Sequence, residues 1–168
     1  GNPLTGGIVY SDTKRVTDGK DISGVSVLFP VMTKIITLNM SNCGLGPTAM
    51  PELSKLVRDA SAVVNEVNVS QNPIGVEGGK ALANVIPECS SLRWIVVGKA
   101  ARIPVHNSEV TSIDASGQDL GPGEVTVLAA AISTDAVLAH LAVGQNQIGS
   151  DGSKTLVEAI KTSNLESI

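Results

Sequence analysis

Aromatic residues are nearly missing from this chain. Among 168 residues there is one Trp, one Tyr and one Phe, 2% in all. A protein that stacks bases of single-stranded nucleic acid needs a platform of rings, so that role is excluded. Charge is also sparse, at 17% of residues with a net charge of -4, which leaves no basic footprint for a phosphate backbone. The two cysteines, Cys43 and Cys89, form neither a disulfide framework nor a metal-ligand spacing. They read as reduced, mostly buried thiols. His106 and His140 have no Cys or His at ligand spacing, so no metal and no cofactor are expected. No apolar run approaches the roughly 20 residues of a membrane span, and no signal peptide opens the chain. The expected setting is cytoplasmic, with no membrane partner.

What is present is aliphatic. Hydrophobic residues make up 42%, so the core must be built from Leu, Val, Ile and Ala. They recur. IITLNMSNCGLG (35–46), VNEVNVSQNPIG (64–75), VTSIDASGQDLG (110–121) and LAHLAVGQNQIG (138–149) align without gaps. Each carries an apolar residue at places one, four and six, a polar residue or Cys at place nine, then an apolar residue and Gly. This is the pattern L-x-x-L-x-L-x-x-N/C-x-L. Partial copies begin at Leu92 and Leu165, and Asn2-Pro3-Leu4 matches Asn72-Pro73-Ile74. Downstream, Leu53 and Val57, Leu82 and Ile86, Leu128 and Ile132, Leu156 and Ile160 repeat at helical spacing.

Each place has a physical reason. Places one, four and six turn inward from a short strand. The amides of Asn72 and Asn146 at place nine can satisfy backbone groups left open as the chain leaves the strand, with Cys43 and Gln118 as substitutes. The glycines at place twelve (Gly46, Gly75, Gly121, Gly149) suit a turn hostile to a Cβ. Glu77, Glu124 and Asp151 complement the positive end of a helix. No copy can cover its own apolar flanks, so the copies must stack.

The period breaks twice. KAARIPVHNSE, after LRWIVVG, has no helical pattern, and the next copy starts 18 residues after Leu92 where other steps are 27 to 29. A loop is expected to replace the helix there. Residues 5–34 read as one degenerate copy, in which Gly19-Lys20-Asp21-Ile22 matches Gly117-Gln118-Asp119-Leu120, and a short helix around Val25 to Met32. The chain starts and stops inside copies without a polar cap, so a single array over 1–168 that is a slice of a longer protein is expected. Residues 35–91 and 110–168 would be its regular parts and 1–34 and 92–109 its degenerate parts.

NPIGVEGGKALANVI and NQIGSDGSKTLVEAI resemble the repeats of ribonuclease-inhibitor-like leucine-rich-repeat proteins, a family that includes the Ran GTPase-activating protein and the sensing domains of NOD-like receptors. The resemblance covers 35–91 and 110–168. It implies an α/β solenoid of about six repeats, two of them short and helix-poor, with parallel strands on a concave face and helices outside. It also implies partners held on the concave face or adjoining loops.

Chemistry is thin. Gly75 to Lys80 and Gly149 to Thr155 do not satisfy the phosphate-loop pattern, and both fall at one place in the repeat. Asn39-Met40-Ser41 and Asn68-Val69-Ser70 are formal glycosylation sequons, read here as by-products of the strand pattern. Asp114 and His140 fall on neighbouring strands, with two solvated residues favoured over a catalytic pair. No enzyme is expected. Place five points to the concave side, as do places three and eight. The feature of that polar face is Arg93-Trp94 with Val96, Trp and Arg being frequent anchors of interfaces. Partner contact is therefore expected at Arg93, Trp94, Val96, Asp114 and His140. The competing reading has Trp94 packing on segment 100–109. Function reads as a protein-interaction scaffold with a protein partner. The alternatives are a GTPase-activating module and a structural spacer that self-associates through uncapped ends.

Overall fold

The structure is a computed structural model that describes residues 36–61, 63–135 and 137–168. The degenerate copy and short helix expected within 5–34, and the match at Asn2-Pro3-Leu4, lie outside the described residues. In chain order the elements are β1 (Thr37–Asn39), α1 (Met50–Asp59), β2 (Glu66–Asn68), α2 (Gly75–Val85) with a 3-10 turn Ile86–Glu88, β3 (Trp94–Val97), β4 (Ala101–Pro104), β5 (Ser112–Asp114), α3 (Pro122–Thr134), β6 (His140–Ala142) and α4 (Gly149–Thr162).

The strands form where apolar and polar residues alternate. Leu38, Ile113 and Leu141 are buried between exposed neighbours in β1, β5 and β6. β1, β2 and β3 pair in parallel with Leu38, Val67 and Ile95 in one register. β5 and β6 pair in parallel with Ile113 opposite Leu141. The four helices carry the expected apolar pairs onto the back of these strands. Leu53, Val57, Leu82, Ile86, Leu128, Ile132 and Leu156 join the strand centres in one buried cluster, and Ile160 packs on its margin.

Two expectations need correction. Segment 100–109 is not a plain loop. Ala101–Pro104 is a strand antiparallel to β3, with Ile95 opposite Ile103. Its cause is apolar residues at alternate places: Ala101, Ile103 and Val105 are buried, while Arg102 is exposed and Pro104, the other intervening residue, is buried too. The Val105 N–H donates to the Arg93 carbonyl at 2.9 Å, so the nitrogen of Pro104, one residue earlier, faces away from β3 where no donor is needed. The hairpin ends the parallel row, and the strands fall into two sheets, β1-β2-β3-β4 and β5-β6. The second correction concerns place twelve. Gly75 and Gly149 are left-handed, at φ +62° and +64°, but Gly121 is extended, at φ -93° and ψ -175°. The regular left-handed position is place eight, occupied by Asn42, Gln71, Gly117 and Gln145.

Place nine staples the units together. Asn72 Oδ1 accepts the N–H groups of Cys43 (2.9 Å) and Leu45 (3.0 Å), and its Nδ2 donates to the Met40 (2.8 Å), Val69 (2.9 Å) and Ser70 (3.2 Å) carbonyls. Asn146 does the same toward Leu120 (3.0 Å) and Ala115 (2.7 Å). Gln118, one methylene longer, reaches the Ala100 N–H at 3.2 Å. The helices pack in sequence, α1 on α2, α2 on α3 and α3 on α4. The contact of α2 with α3 spans the unit that has a hairpin instead of a helix. Among the described residues no helix is long and apolar enough to cross a membrane.

Candidate functional site

The strand layer turns one face toward the helices and the other outward. On the outward face Thr37, Asn39, Ser112, Asp114, His140 and Ala142 are exposed, and Glu66, Asn68 and Trp94 are half-buried. The fifth-place residues have a local task that the sequence reading missed. Asn39 Oδ1 accepts the Ser41 N–H (3.1 Å), Asn68 Oδ1 the Ser70 N–H (3.0 Å) and Asp114 Oδ1 the Ser116 N–H (2.9 Å). Each closes an Asx turn at the strand's end. The two sequons coincide with this motif. The Ser116 N–H, with its hydroxyl second, holds the Asp114 carboxyl below its ordinary range.

Trp94 sits at the centre of the outward face. The Arg102 guanidinium lies over its ring, 3.6 Å from the centroid. Arg102 is itself held by Glu66, whose Oε2 accepts from Nη2 at 2.8 Å and Nε at 3.3 Å. Three strands from two units thus meet in one triad: β2 supplies Glu66, β3 Trp94 and β4 Arg102. Cation–π attraction and a two-point ion pair fix a guanidinium that is half exposed. Arg102 was not foreseen, and Glu66, expected on this face at place three, was not foreseen as its partner. The alternation of ARIPV carried the signal for Arg102, but the proline inside it argued against a strand.

The other expected contacts are dispersed. Val96 faces the Arg102 backbone and is only 6% exposed, so it offers a partner almost no surface. It keeps its place on the outer face, where Asn68 of β2 and Arg102 of β4 flank it. Arg93 is half-buried and donates through Nη1 to the Ser90 (2.6 Å) and Leu92 (3.2 Å) carbonyls. With Trp94, Asn65, His106, Asn107, Ser108 and Glu109 it lines a polar hollow of about 330 Å³ at the strands' N-terminal ends. Asp114 and His140 are not opposite each other: Ser112 faces His140 and Asp114 faces Ala142. His140 Nδ1 instead meets Ser167 Oγ at 2.8 Å.

Elsewhere the chemistry is quiet. Burial pushes the Cys43 and Cys89 thiols up, which disfavours the reactive thiolate. Among the described residues no group of three or more His, Cys, Asp and Glu is placed to hold a metal ion.

Comparison with known proteins gives three results. Residues 60–83, which span β2, its loop and most of α2, match the family model described as Leucine Rich repeat. No curated protein matches. Solved structures do: 38 chains match. One is that of leiomodin-1 actin-binding site 2, at 10% identity and a TM-score of 0.47, covering 88% of this chain and 78% of that one. The match over 60–83, with a mixed α/β order that recurs in β1–α1, β5–α3 and β6–α4, supports a fold of the leucine-rich-repeat type.

Proposed function

We propose that this chain is a protein-interaction module of the ribonuclease-inhibitor-like leucine-rich-repeat kind. Its units form one curved array, and a protein partner is held on the outward face of the strands. One observation carries this reading. Residues at equivalent places in successive units stand exposed and in register on that face, Ser112 beside His140 and Asp114 beside Ala142, while the alternate residues anchor the strands to the core. Within each of the two sheets the face is rigid, because neighbouring strands are tied by ladder bonds and the place-nine amides of Asn72 and Asn146 bridge successive units. Rigidity lowers the ordering cost of binding. The Glu66–Trp94–Arg102 triad supplies a central aromatic–arginine anchor of the kind that dominates interfaces.

The test is photocrosslinking in the full-length protein. A benzophenone amino acid at Thr37, Ser112 or His140 should give a shared covalent partner. The same group at Val157, on the exposed side of α4, should not. Adducts that form only from Val157 would sink the reading.

A further inference from the structure

Among the described residues, β2, β3 and β6 each have their upstream edge paired by the unit before, and β5 does not. For β2, Met40 N–H donates to the Asn68 carbonyl (2.8 Å) and Asn42 to Ser70 (2.9 Å). For β3, Val69 donates to Val96 (2.9 Å) and Gln71 to Gly98 (2.7 Å). For β6, Ala115 donates to Ala142 (2.8 Å) and Gly117 to Gly144 (2.9 Å). In β5 the corresponding carbonyls belong to Ser112, Asp114 and Ser116, and among the described residues none of them has a backbone partner. Upstream contact resumes only beyond the strand, where the Gln118 carbonyl accepts from Lys99 N–H at 2.7 Å.

The hairpin causes this. β4 ends the row beyond β3, turned antiparallel, and its strand pairing is with β3 and not with β5. Its own outer edge presents Arg102 and Pro104, and proline has no N–H to give, so β4 is a blunted edge. β5 has no such guard. The Ser112 N–H and the carbonyls of Ser112, Asp114 and Ser116 are a short unfilled ladder on the face where a partner is proposed to sit.

We propose that the upstream edge of β5 is a docking edge for an extended segment of a partner protein, which adds as a strand through its main chain. This rests on the protein-interaction reading above and names the chemistry of the partner's contact. Only a main chain in the β conformation offers donors and acceptors at the spacing that the alternate residues of β5 present. Side chains of the added strand would alternate. The inward ones would lie near buried Ile103 and Ile113 and must be apolar, and the outward ones would stand between Arg102 and Asp114 and must be polar.

The experiment uses a phage-displayed library of short linear peptides, selected against the chain, followed by amide hydrogen exchange read by NMR. In the free chain the Ser112 and Asp114 amides should exchange like an exposed loop, while the amide of Leu141 is protected. A selected peptide should slow Ser112 and Asp114 by about 100-fold. Ser112→Pro removes an edge N–H and should weaken the peptide about tenfold. Val157→Ala, on the exposed side of α4, leaves the edge intact and should bind as the wild type does, and protection of Leu141 reports that both variants are folded. Ser112 and Asp114 amides already protected in the free chain would overturn the proposal. So would a selection that yields no binder. Protection that grows with chain concentration in the absence of peptide would assign the edge to a second copy and overturn it too. Peptides that bind the strand face without protecting the edge would defeat this proposal while leaving the interaction reading intact. Edge-bound peptides combined with crosslinks only from Val157 would do the reverse.

Discussion

The backbones of Gly79 in α2 and Gly123 in α3 pack so closely that a methyl group on Gly79 would overlap the Gly123 carbonyl oxygen. A methyl on Gly123 would overlap the Gly75 carbonyl. The unit between these helices has a hairpin in place of a helix, so α2 and α3 must meet each other directly. Two glycines let them do so. Gly79→Ala gains up to about 1 kcal/mol in helix propensity. Against that it forces backbone on backbone, a strain of about 3 kcal/mol or more. A net loss is expected in urea unfolding. Gly144→Ala is the control, because its methyl would meet nothing nearer than Ser116 Oγ at 3.9 Å. Equal stability of the Gly79 and Gly144 variants would show that the helices are not in this contact.

Asn72 carries more of the stacking than Asn146. It is 8% exposed and makes five hydrogen bonds, and two N–H groups of the preceding unit depend on it. Asn72→Ala strands those donors in the interior, at about 1–3 kcal/mol for each group left unsatisfied. Asn146 is half-buried, and water can replace its partners. Thermal unfolding of the two alanine variants should therefore rank Asn72→Ala well below Asn146→Ala. The opposite rank would refute the assignment.

The units between β1 and α2, and between β5 and α4, were readable from sequence because each follows a period that only one structure satisfies. Leu38, Val67, Ile113 and Leu141 had to face inward at the strand period, and Leu82 and Ile86 at the helical one. The hairpin was not readable for two reasons. Ala101, Ile103 and Val105 alternate over too few residues to outweigh a proline. The pairing of β4 with β3 is also set by what stands on either side of it. The candidate site suffered in the same way. Trp94 stood out by its chemistry, but its partners Glu66 and Arg102 lie 28 residues before it and 8 after, and only the turn at Gly98 brings the latter back. Val96 stands on the expected face, but its lack of exposed surface was not foreseen because the strand that flanks it was missed.

Trp94 and Arg102 should prove energetically coupled. The ring and the guanidinium stack across the hairpin, and Glu66 holds the guanidinium from β2. In a double-mutant cycle of Trp94→Ala and Arg102→Ala, the coupling should be about 0.5–1 kcal/mol, as for cation–π pairs near a surface. Trp94→Ala alone should also cost stability, because the ring is half-buried under Arg102. A coupling of zero in urea unfolding would mean that the stack contributes nothing in solution. The triad would then be left as surface for a partner and no more.

Asp114 and Glu124 should give pH dependences of opposite sign. The Ser116 N–H holds the folded-state pKa of Asp114 below its unfolded value. Its stabilisation is present above the unfolded pKa, about 4, and is lost as pH falls through the folded value. Glu124 is the reverse. Burial raises its pKa, and the N–H donations of its own backbone and of Gly121 only partly offset this. Its ionised form costs stability at neutral pH, and the cost fades as pH falls below the unfolded value. Asp114→Asn should therefore be less stable than wild type at pH 7, with a gap that narrows toward pH ~3. Glu124→Gln keeps an acceptor for the Gly121 N–H, which the carboxylate holds at 3.0 Å. It should be at least as stable as wild type at pH 7, with an advantage that shrinks in acid. Denaturant titrations of both variants across this range would decide it. An Asp114→Asn deficit that widens in acid would show that the turn bond at Asp114 is not as described, and a Glu124→Gln advantage that widens in acid would show the same of the burial of Glu124.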